Sequence, residues 1–321
     1  MSVRSLPEIV VPDEFNYIAV FLTFACQLRC SYCINHHGGD LVKGRWMSGD
    51  DWLLALNRIT TRPDLPLTLQ GGEPTVHKHF YEIVNGIRKD SPIDLLTNLE
   101  VDARTFMSNI HPDRMKRDAP YASIRVSYHK EQMKLMPLLH KVRAMLDLGY
   151  SVGIWAVDHP RDHEEIVYAK QTAMEMGIDF RLKEFLGPYQ GEVHGTFRYP
   201  HAVDDKDLRR CDCRTSEFLI GPDGAVFRCH SDLYANRASI GHILDPDFSH
   251  GDLGKWRTCG VMGMCNSCDV KVKNNRFQEW GHSSVEIRNV SEPYAKNANF
   301  VPDVINTYGK PDRVSVDGVH S

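Results

Sequence analysis

The sequence has no apolar run long enough to cross a bilayer. The apolar run Tyr17–Ala25 is nine residues long, where a membrane-spanning helix needs about 20. The opening stretch, MSVRSLPEIVVPDEF, lacks the basic start and continuous apolar core of a secretory signal. Charge of one sign is not in excess: 38 Lys and Arg against 42 Asp and Glu leave a net charge of −4. There is no long block of like charge to mark a nucleic-acid or polyanion binder. Repeats and low-complexity tracts are missing as well. These absences lead to the expectation of a cytoplasmic protein with neither membrane nor nucleic acid as partner.

What is present suits a folded enzyme-sized unit. The chain has 321 residues and 42% hydrophobic content, enough for one large domain or one plus a smaller. From residue 16 to about 186, short apolar strands alternate with helical patterns. Strands are expected at Tyr17–Phe24, Leu65–Gln70, Ile93–Thr97, Ser123–Tyr128, Val152–Val157 and Ile178–Phe185. Helices are expected after Ser48 as N-cap, around His79–Arg88, from Glu131 to Leu148, and over Arg161–Met176. Such alternation implies parallel pairing through right-handed crossovers. The fold class expected is α/β, a partial (β/α)6 TIM-like barrel. After Gly187 the texture changes. Gly187–His201 reads as a linker or loop facing the site, Glu217–Arg228 as a β-hairpin turning at Gly221-Pro222-Asp223-Gly224, and Ala238–Leu244 as a third short strand. A small C-terminal hairpin-plus-helix cluster-binding domain is expected there. The boundaries drawn are 1–15 as lead-in, 16–190 as core, 191–275 as the second domain and 276–321 as a polar, weakly patterned tail.

The cysteines carry the chemistry. All nine fall in groups: Cys26/Cys30/Cys33, Cys211/Cys213/Cys229 and Cys259/Cys265/Cys268. In a reducing compartment such grouping reads as metal ligands or redox centres before disulfides. The first group, Cys26-Gln-Leu-Arg-Cys30-Ser-Tyr-Cys33, has one thiolate fewer than a closed tetrahedral site. Four sulfurs close an iron–sulfur cluster; three leave one iron open, and an open position separates a reactive metal site from a structural one. The plainer alternative is redox thiols, or a zinc site completed by His36 or His37.

That spacing, C-x3-C-x-aromatic-C with Tyr32 in the aromatic place, resembles the signature of the radical S-adenosylmethionine (radical SAM) superfamily. Gly71-Gly72-Glu73-Pro74, after the second strand, resembles the family's GGEP segment. The resemblance covers residues 16 to about 186. It implies a 4Fe–4S cluster held by Cys26, Cys30 and Cys33, with SAM's amino and carboxylate groups on the open iron. It further implies reductive cleavage of SAM and hydrogen-atom abstraction by a 5′-deoxyadenosyl radical. By the same resemblance, Gly71, Gly72, Glu73 and Pro74 contact SAM, with Glu73 accepting from its ammonium. Asn98 and Ser127 supply polar contacts at later strand ends, and Ile154 packs on the adenine.

The remaining cysteines resemble the SPASM/twitch pattern. Cys213-x10-Gly224-x4-Cys229 matches its first half, with Cys211 as an alternative to Cys213, and Cys265-Asn-Ser-Cys268 supplies the second pair. The full pattern is not met, since Asn274 stands where a further cysteine belongs. The resemblance therefore implies one auxiliary 4Fe–4S cluster on Cys213, Cys229, Cys265 and Cys268, with Cys259 a further candidate. A zinc site is the alternative. Substrate contacts are sought at His129, Asp158, Lys183 and Glu184. The leading expectation is a small polar metabolite undergoing oxidation or rearrangement, by analogy with the twitch-bearing 2-deoxy-scyllo-inosamine dehydrogenase family. A peptide-modifying enzyme is the alternative, and a non-enzymatic iron–sulfur or zinc-binding protein a further one. Either enzyme needs a one-electron donor such as flavodoxin or ferredoxin.

Overall fold

A computed structural model describes residues 5–33, 46–196, 208–237, 239–262 and 285–292. After a short β1 (Ile9–Val10), the first long strand is β2 (Tyr17–Thr23), an almost continuously buried apolar run. That is the pattern of a strand covered on both faces. Helix α1 (Gly49–Leu56) starts where expected, with the Ser48 side chain accepting from the Asp51 backbone N–H. There follow β3 (Ile59–Thr60), β4 (Leu67–Gly71), α2 (Phe80–Gly86), β5 (Ile93–Thr97), α3 (Ala103–Asn109) and β6 (Ile124–Tyr128). The alternation continues through α4 (Leu135–Asp147), β7 (Val152–Asp158), α5 (His163–Glu175) and β8 (Phe180–Glu184). The strands β2, β4, β5, β6, β7 and β8 pair in parallel, each beside the next. Apolar residues of α1 to α5 share one core with Ile18, Leu69, Leu95, Val126, Ile154 and Phe180. Strand residues alternate between faces, so all five helices cover the same side of the sheet. The opposite side is the open face.

The C-terminal part departs from expectation in three places. The Gly187–His201 stretch is not a plain loop: β9 (Gly187–Tyr189) and β10 (Glu192–His194) form a hairpin. Its turn, Gln190-Gly191, has both residues at positive φ, 50° and 83°, as a tight hairpin turn requires. The hairpin β12 (Glu217–Ile220) and β13 (Ala225–Phe227) joins the main sheet. β12 pairs in parallel with β2, Glu217 opposite Tyr17, and extends the main sheet to nine strands in the order β14-β13-β12-β2-β4-β5-β6-β7-β8. The physical reason is β2 itself. A buried strand needs hydrogen-bond partners along both edges, and β4 satisfies only one. The third strand is reduced to β14 (Gly241–His242). Finally, β11 (Arg209–Thr215) stands between β15 (Arg257–Met262) and β16 (Val285–Arg288) in a three-stranded sheet. β16 comes from the stretch that sequence left without pattern. The short helix α6 (His230–Tyr234) follows β13. Among the described residues no helix is long and apolar enough to cross a membrane.

The β12 pairing is large in energy. Phe218, Leu219 and Ile220 are all fully buried. At about 1.5–3 kcal/mol per buried side chain they contribute roughly 5–9 kcal/mol, as much as the whole stability of many domains. A chain cut after residue 196 is therefore expected to lose cooperative folding. Thermal melting by circular dichroism and gel filtration check this; a soluble, cooperatively melting 1–196 fragment would refute it.

Candidate active site

The site begins where β4 ends. Gly71 has a φ of +150°, and a Cβ there would lie 2.0 Å from the Thr23 carbonyl oxygen. A Cβ on Gly72 would meet the carbonyl oxygens of Phe24 at 2.3 Å and Ala25 at 2.4 Å. Only glycine lets these two backbones approach so closely. The approach is stitched by main-chain bonds: Gly72 N–H donates to Thr23 (2.8 Å) and Glu73 N–H to Ala25 (2.8 Å). The GGEP segment is thus bonded directly to the chain leading into Cys26.

Pro74 opens a single 3-10 turn, Pro74–Val76, capped by Glu73. Proline suits this place because its missing N–H would have no partner there. The Glu73 side chain is fully buried. One carboxylate oxygen accepts from Thr75 N–H (3.0 Å), the Thr75 hydroxyl (2.6 Å) and the Thr97 hydroxyl (2.8 Å). The other accepts from Asn98 N–H (2.6 Å). Burial pushes this carboxyl up and the four donors pull it back. A carboxylate offers about four acceptor positions. The sequence argument placed a ligand ammonium here; in the structure three of the chain's own donors meet one oxygen and a single donor meets the other. Glu73 acts as the tie between the ends of β4 and β5.

The cysteine loop is held from both sides. The Cys26 sulfur accepts from Leu28 N–H (3.4 Å) and the Asn98 side-chain amide (3.6 Å). The Asn98 carbonyl oxygen accepts from Gln27 (3.1 Å) and Glu100 N–H (2.9 Å). On the far side, Ser31 donates to Glu131 through both its N–H and its hydroxyl, and Arg29 N–H donates to Gln132. Arg161 pairs with Glu131 (3.1 Å) and Asp162 (2.8 Å). The Tyr32 hydroxyl meets His129 Nδ1 at 3.1 Å, and its ring lies 5.5 Å from that of the buried His159. Cys30 is buried and Cys26 and Cys33 half-buried. Burial pushes the Cys26 and Cys30 thiols up; Cys33, Glu131 and Cys26 raise Cys30 further.

These features fit an iron–sulfur cluster. Three adjacent thiolates are costly without a cationic group between them, and N–H donors to sulfur are a usual accompaniment of cluster ligation. Among the described residues no group of three His, Cys, Asp or Glu converges as ligands of one metal ion do. A cluster asks less convergence, since each cysteine binds a different iron. His36 and His37, the expected completion of a zinc site, lie outside the described residues.

The other expected residues are scattered. Ser127 is half-buried on the open face at the end of β6. Ile154 is fully buried in the helix-side core, so its side chain is spent on packing; Trp155 and Gly153 take the open face beside it. Asp158 pairs with His163 (2.7 Å) and Glu184 accepts from Thr196 (2.9 Å). Lys183 lies on the open face of β8 and is exposed. Glu131, Arg161 and Gln27 escaped sequence reasoning. Glu131 is 100 residues from Ser31, and no local pattern announces such a contact.

The second cysteine group gathers on the small sheet. Cys211 lies opposite Cys259 in the β11–β15 pairing. Cys213 shares a hydrogen bond with Cys259, which with burial pushes the Cys213 thiol well up, and Cys229 is near enough to raise it further. The Thr215 hydroxyl donates to the Arg228 carbonyl (2.6 Å), holding the hairpin ends together. Arg228 is buried beside these thiols and paired with Asp232 (2.7 Å). Cys265 and Cys268 lie outside the described residues.

Comparison with known proteins agrees with this geometry. Residues 20–134 match the family model of the radical SAM superfamily, so the chain carries a radical SAM domain. GTP 3′,8-cyclase of Clostridium perfringens is 27% identical over 195 residues, covering 56% of this chain and 58% of that protein. The chain spans about half the length or less of the first curated relatives it matches. The solved structure of anSMEcpe with bound AdoMet superposes with a TM-score of 0.50 at 14% identity, covering 77% of each chain. The same enzyme was also solved with AdoMet and a Cp18Cys peptide (TM-score 0.48, 13% identity, 77% and 80% coverage). SuiB of Streptococcus suis was solved with its precursor peptide SuiA (TM-score 0.44, 11% identity, 73% and 64% coverage). The leading expectation of a small polar metabolite is not upheld: of the solved proteins similar to this chain, anSMEcpe was solved with a Cp18Cys peptide and SuiB with the precursor peptide SuiA.

Gly72→Ala tests the close approach. Its Cβ meets backbone, which cannot swing aside, so a loss of about 1–3 kcal/mol is expected. The cysteine loop should shift with it. A lowered melting temperature together with reduced iron uptake on anaerobic reconstitution is the expected result; unchanged values for both would show that the approach is looser.

Proposed function

We propose that this chain is a radical SAM enzyme that modifies a peptide. The observation that carries the reading is the bonding of the Gly71–Pro74 segment to the chain entering Cys26, with an open sheet face beneath. A one-sided helix layer over six parallel strands supports a partial (β/α)6 barrel, which places reactive groups at the C-terminal strand ends. Cys26, Cys30 and Cys33 hold a 4Fe–4S cluster with one open iron, and SAM binds there. When bound, this pair supplies the electron and the 5′-deoxyadenosyl radical that takes a hydrogen atom from the substrate.

The chain's own residues orient and protect. Gly71 and Gly72 let the strand end approach the cofactors, while Glu73, Asn98 and Glu131 fix the loop that carries the cysteines. Asn98 and Ser127 stand at strand ends where they border SAM. Tyr32, His129 and His159 form a wall that keeps water from the reacting atoms. The second cysteine group holds an auxiliary 4Fe–4S cluster, and a flavodoxin or ferredoxin supplies the electron. The peptide reading draws on the relatives: anSMEcpe shares the fold and has been solved with a peptide.

Anaerobic reconstitution is expected to load about eight irons per chain for two four-iron clusters. With dithionite and SAM the enzyme should release 5′-deoxyadenosine, and Cys30→Ala should abolish it. Incubation with a short peptide encoded beside its gene should change that peptide's mass. No 5′-deoxyadenosine from fully loaded protein would overturn the radical SAM reading. Steady 5′-deoxyadenosine with every neighbouring peptide unaltered would overturn the peptide reading alone.

A further inference from the structure

Two buried guanidinium groups share one carboxylate beside the second group of cysteines. Arg228 meets Asp232 Oδ2 through Nε (2.8 Å) and Nη2 (2.7 Å), and Arg237 meets Asp232 Oδ1 (3.1 Å). All three side chains are buried. The trio carries one positive charge more than its carboxylate offsets, and a buried charge is costly unless an opposite one joins it. Strand register and hydrogen bonds place Arg228 against the thiols. On β11, Cys211, Cys213 and Thr215 share one face. Cys259 lies opposite Cys211 and packs with Cys211 and Cys213. The Thr215 hydroxyl donates to the Arg228 carbonyl (2.6 Å), so the chain enters Cys229 over that same face. From there the Arg228 side chain reaches the Thr258 carbonyl (2.8 Å), which adjoins Cys259. The Cys229 sulfur accepts from the N–H of Asp232 (3.4 Å), the residue whose carboxylate grips Arg228. Among the described residues these bonds engage each guanidinium nitrogen once, and two of its five N–H donors remain.

We propose that Arg228 sets the reduction potential of an auxiliary iron–sulfur cluster held by this group of cysteines. The proposal rests on the auxiliary-cluster reading above and adds a positioning residue to it. The residues fit such a cluster: thiols gathered on one face, an N–H donor to sulfur, and a buried cation bonded between Cys229 and Cys259. A cluster held by four thiolates is anionic and becomes more so on reduction. A buried cation beside it favours the reduced form more than the oxidised one, so the potential rises. The two remaining N–H donors of Arg228 act in the same direction where they bond sulfur. Asp232 acts in the opposite direction, since its carboxylate offsets the cation. The first cysteine group differs in this respect. Arg161 beside that loop is matched by two carboxylates, Glu131 and Asp162.

The test uses the full-length chain with Cys26, Cys30 and Cys33 all changed to Ala, so that only the second site holds a cluster. Anaerobic reconstitution of this parent should load about four irons. A redox titration followed by electron paramagnetic resonance then reads the midpoint potential. Arg228→Gln should lower the reduction equilibrium constant at least tenfold, about 59 mV for one electron. Arg228→Lys keeps the charge and should fall by less. Asp232→Asn leaves the cation without its carboxylate and should raise the midpoint. A merely structural role for the pair would not give shifts of opposite sign. Where one of these two variants takes up no iron, the other decides. Midpoints equal to the parent's in both, or a fall in both, overturn the proposal and leave the auxiliary cluster standing. Zinc or no metal in the parent would sink the auxiliary-cluster reading itself, and the proposal with it.

Discussion

A fully buried carboxylate organises this site. Glu73 has no exposed surface, and an isolated buried charge is among the costliest things a fold can hold. Here it is offset by four short neutral donors rather than by a cation. The donors come from two places, the turn after β4 and the end of β5. Removing either would leave the charge stranded, so the two strand ends are bound to one geometry. Asn98 carries the constraint onward. Its N–H serves Glu73 while its side chain reaches Cys26 and Gln27. The first cysteine is therefore positioned by a carboxylate it does not touch.

A second carboxylate closes the loop from the other side. Glu131 takes both donors of Ser31 and is itself held by Arg161. The residues between Cys26 and Cys33 are thus spanned by two anchors, one on the β5 side and one on the β6–β7 side. Neither anchor is a cysteine. Three thiols that must share one cluster gain from such a frame, because ligand geometry set before binding costs less ordering on binding.

Local pattern was readable and long-range pairing was not. Ile93–Thr97 is the strand expected from the sequence, the Ser48 cap forms, and the parallel order follows from alternation. Gly71-Gly72 was legible as a close approach, because few other reasons put two glycines at a strand end. The parallel union of Glu217 with Tyr17 was not, since it joins positions 200 residues apart and depends on the unmet edge of β2. β16 carries too little hydrophobic pattern to be found alone and is stabilised by its partner β11. Cys259 lies opposite Cys211 through strand register, which spacing cannot reveal. The internal role of Glu73 was hidden as well: its donors Thr97 and Asn98 lie more than 20 residues away, and no local pattern announces them.

The open face shows the same logic at larger scale. One face of the sheet is sealed by helices with apolar residues, as any α/β fold requires. The other is filled by apolar residues only at the β2–β12–β13 end, where Phe21, Leu219, Phe227 and Leu233 pack together. Over β4 to β8 it carries Gln70, Asp94, Arg125, Ser127 and Lys183, and burying polar groups is costly. Asp94 takes bonds from both Arg117 and Arg125, so the buried carboxylate on this face is offset by two guanidinium groups of the chain itself.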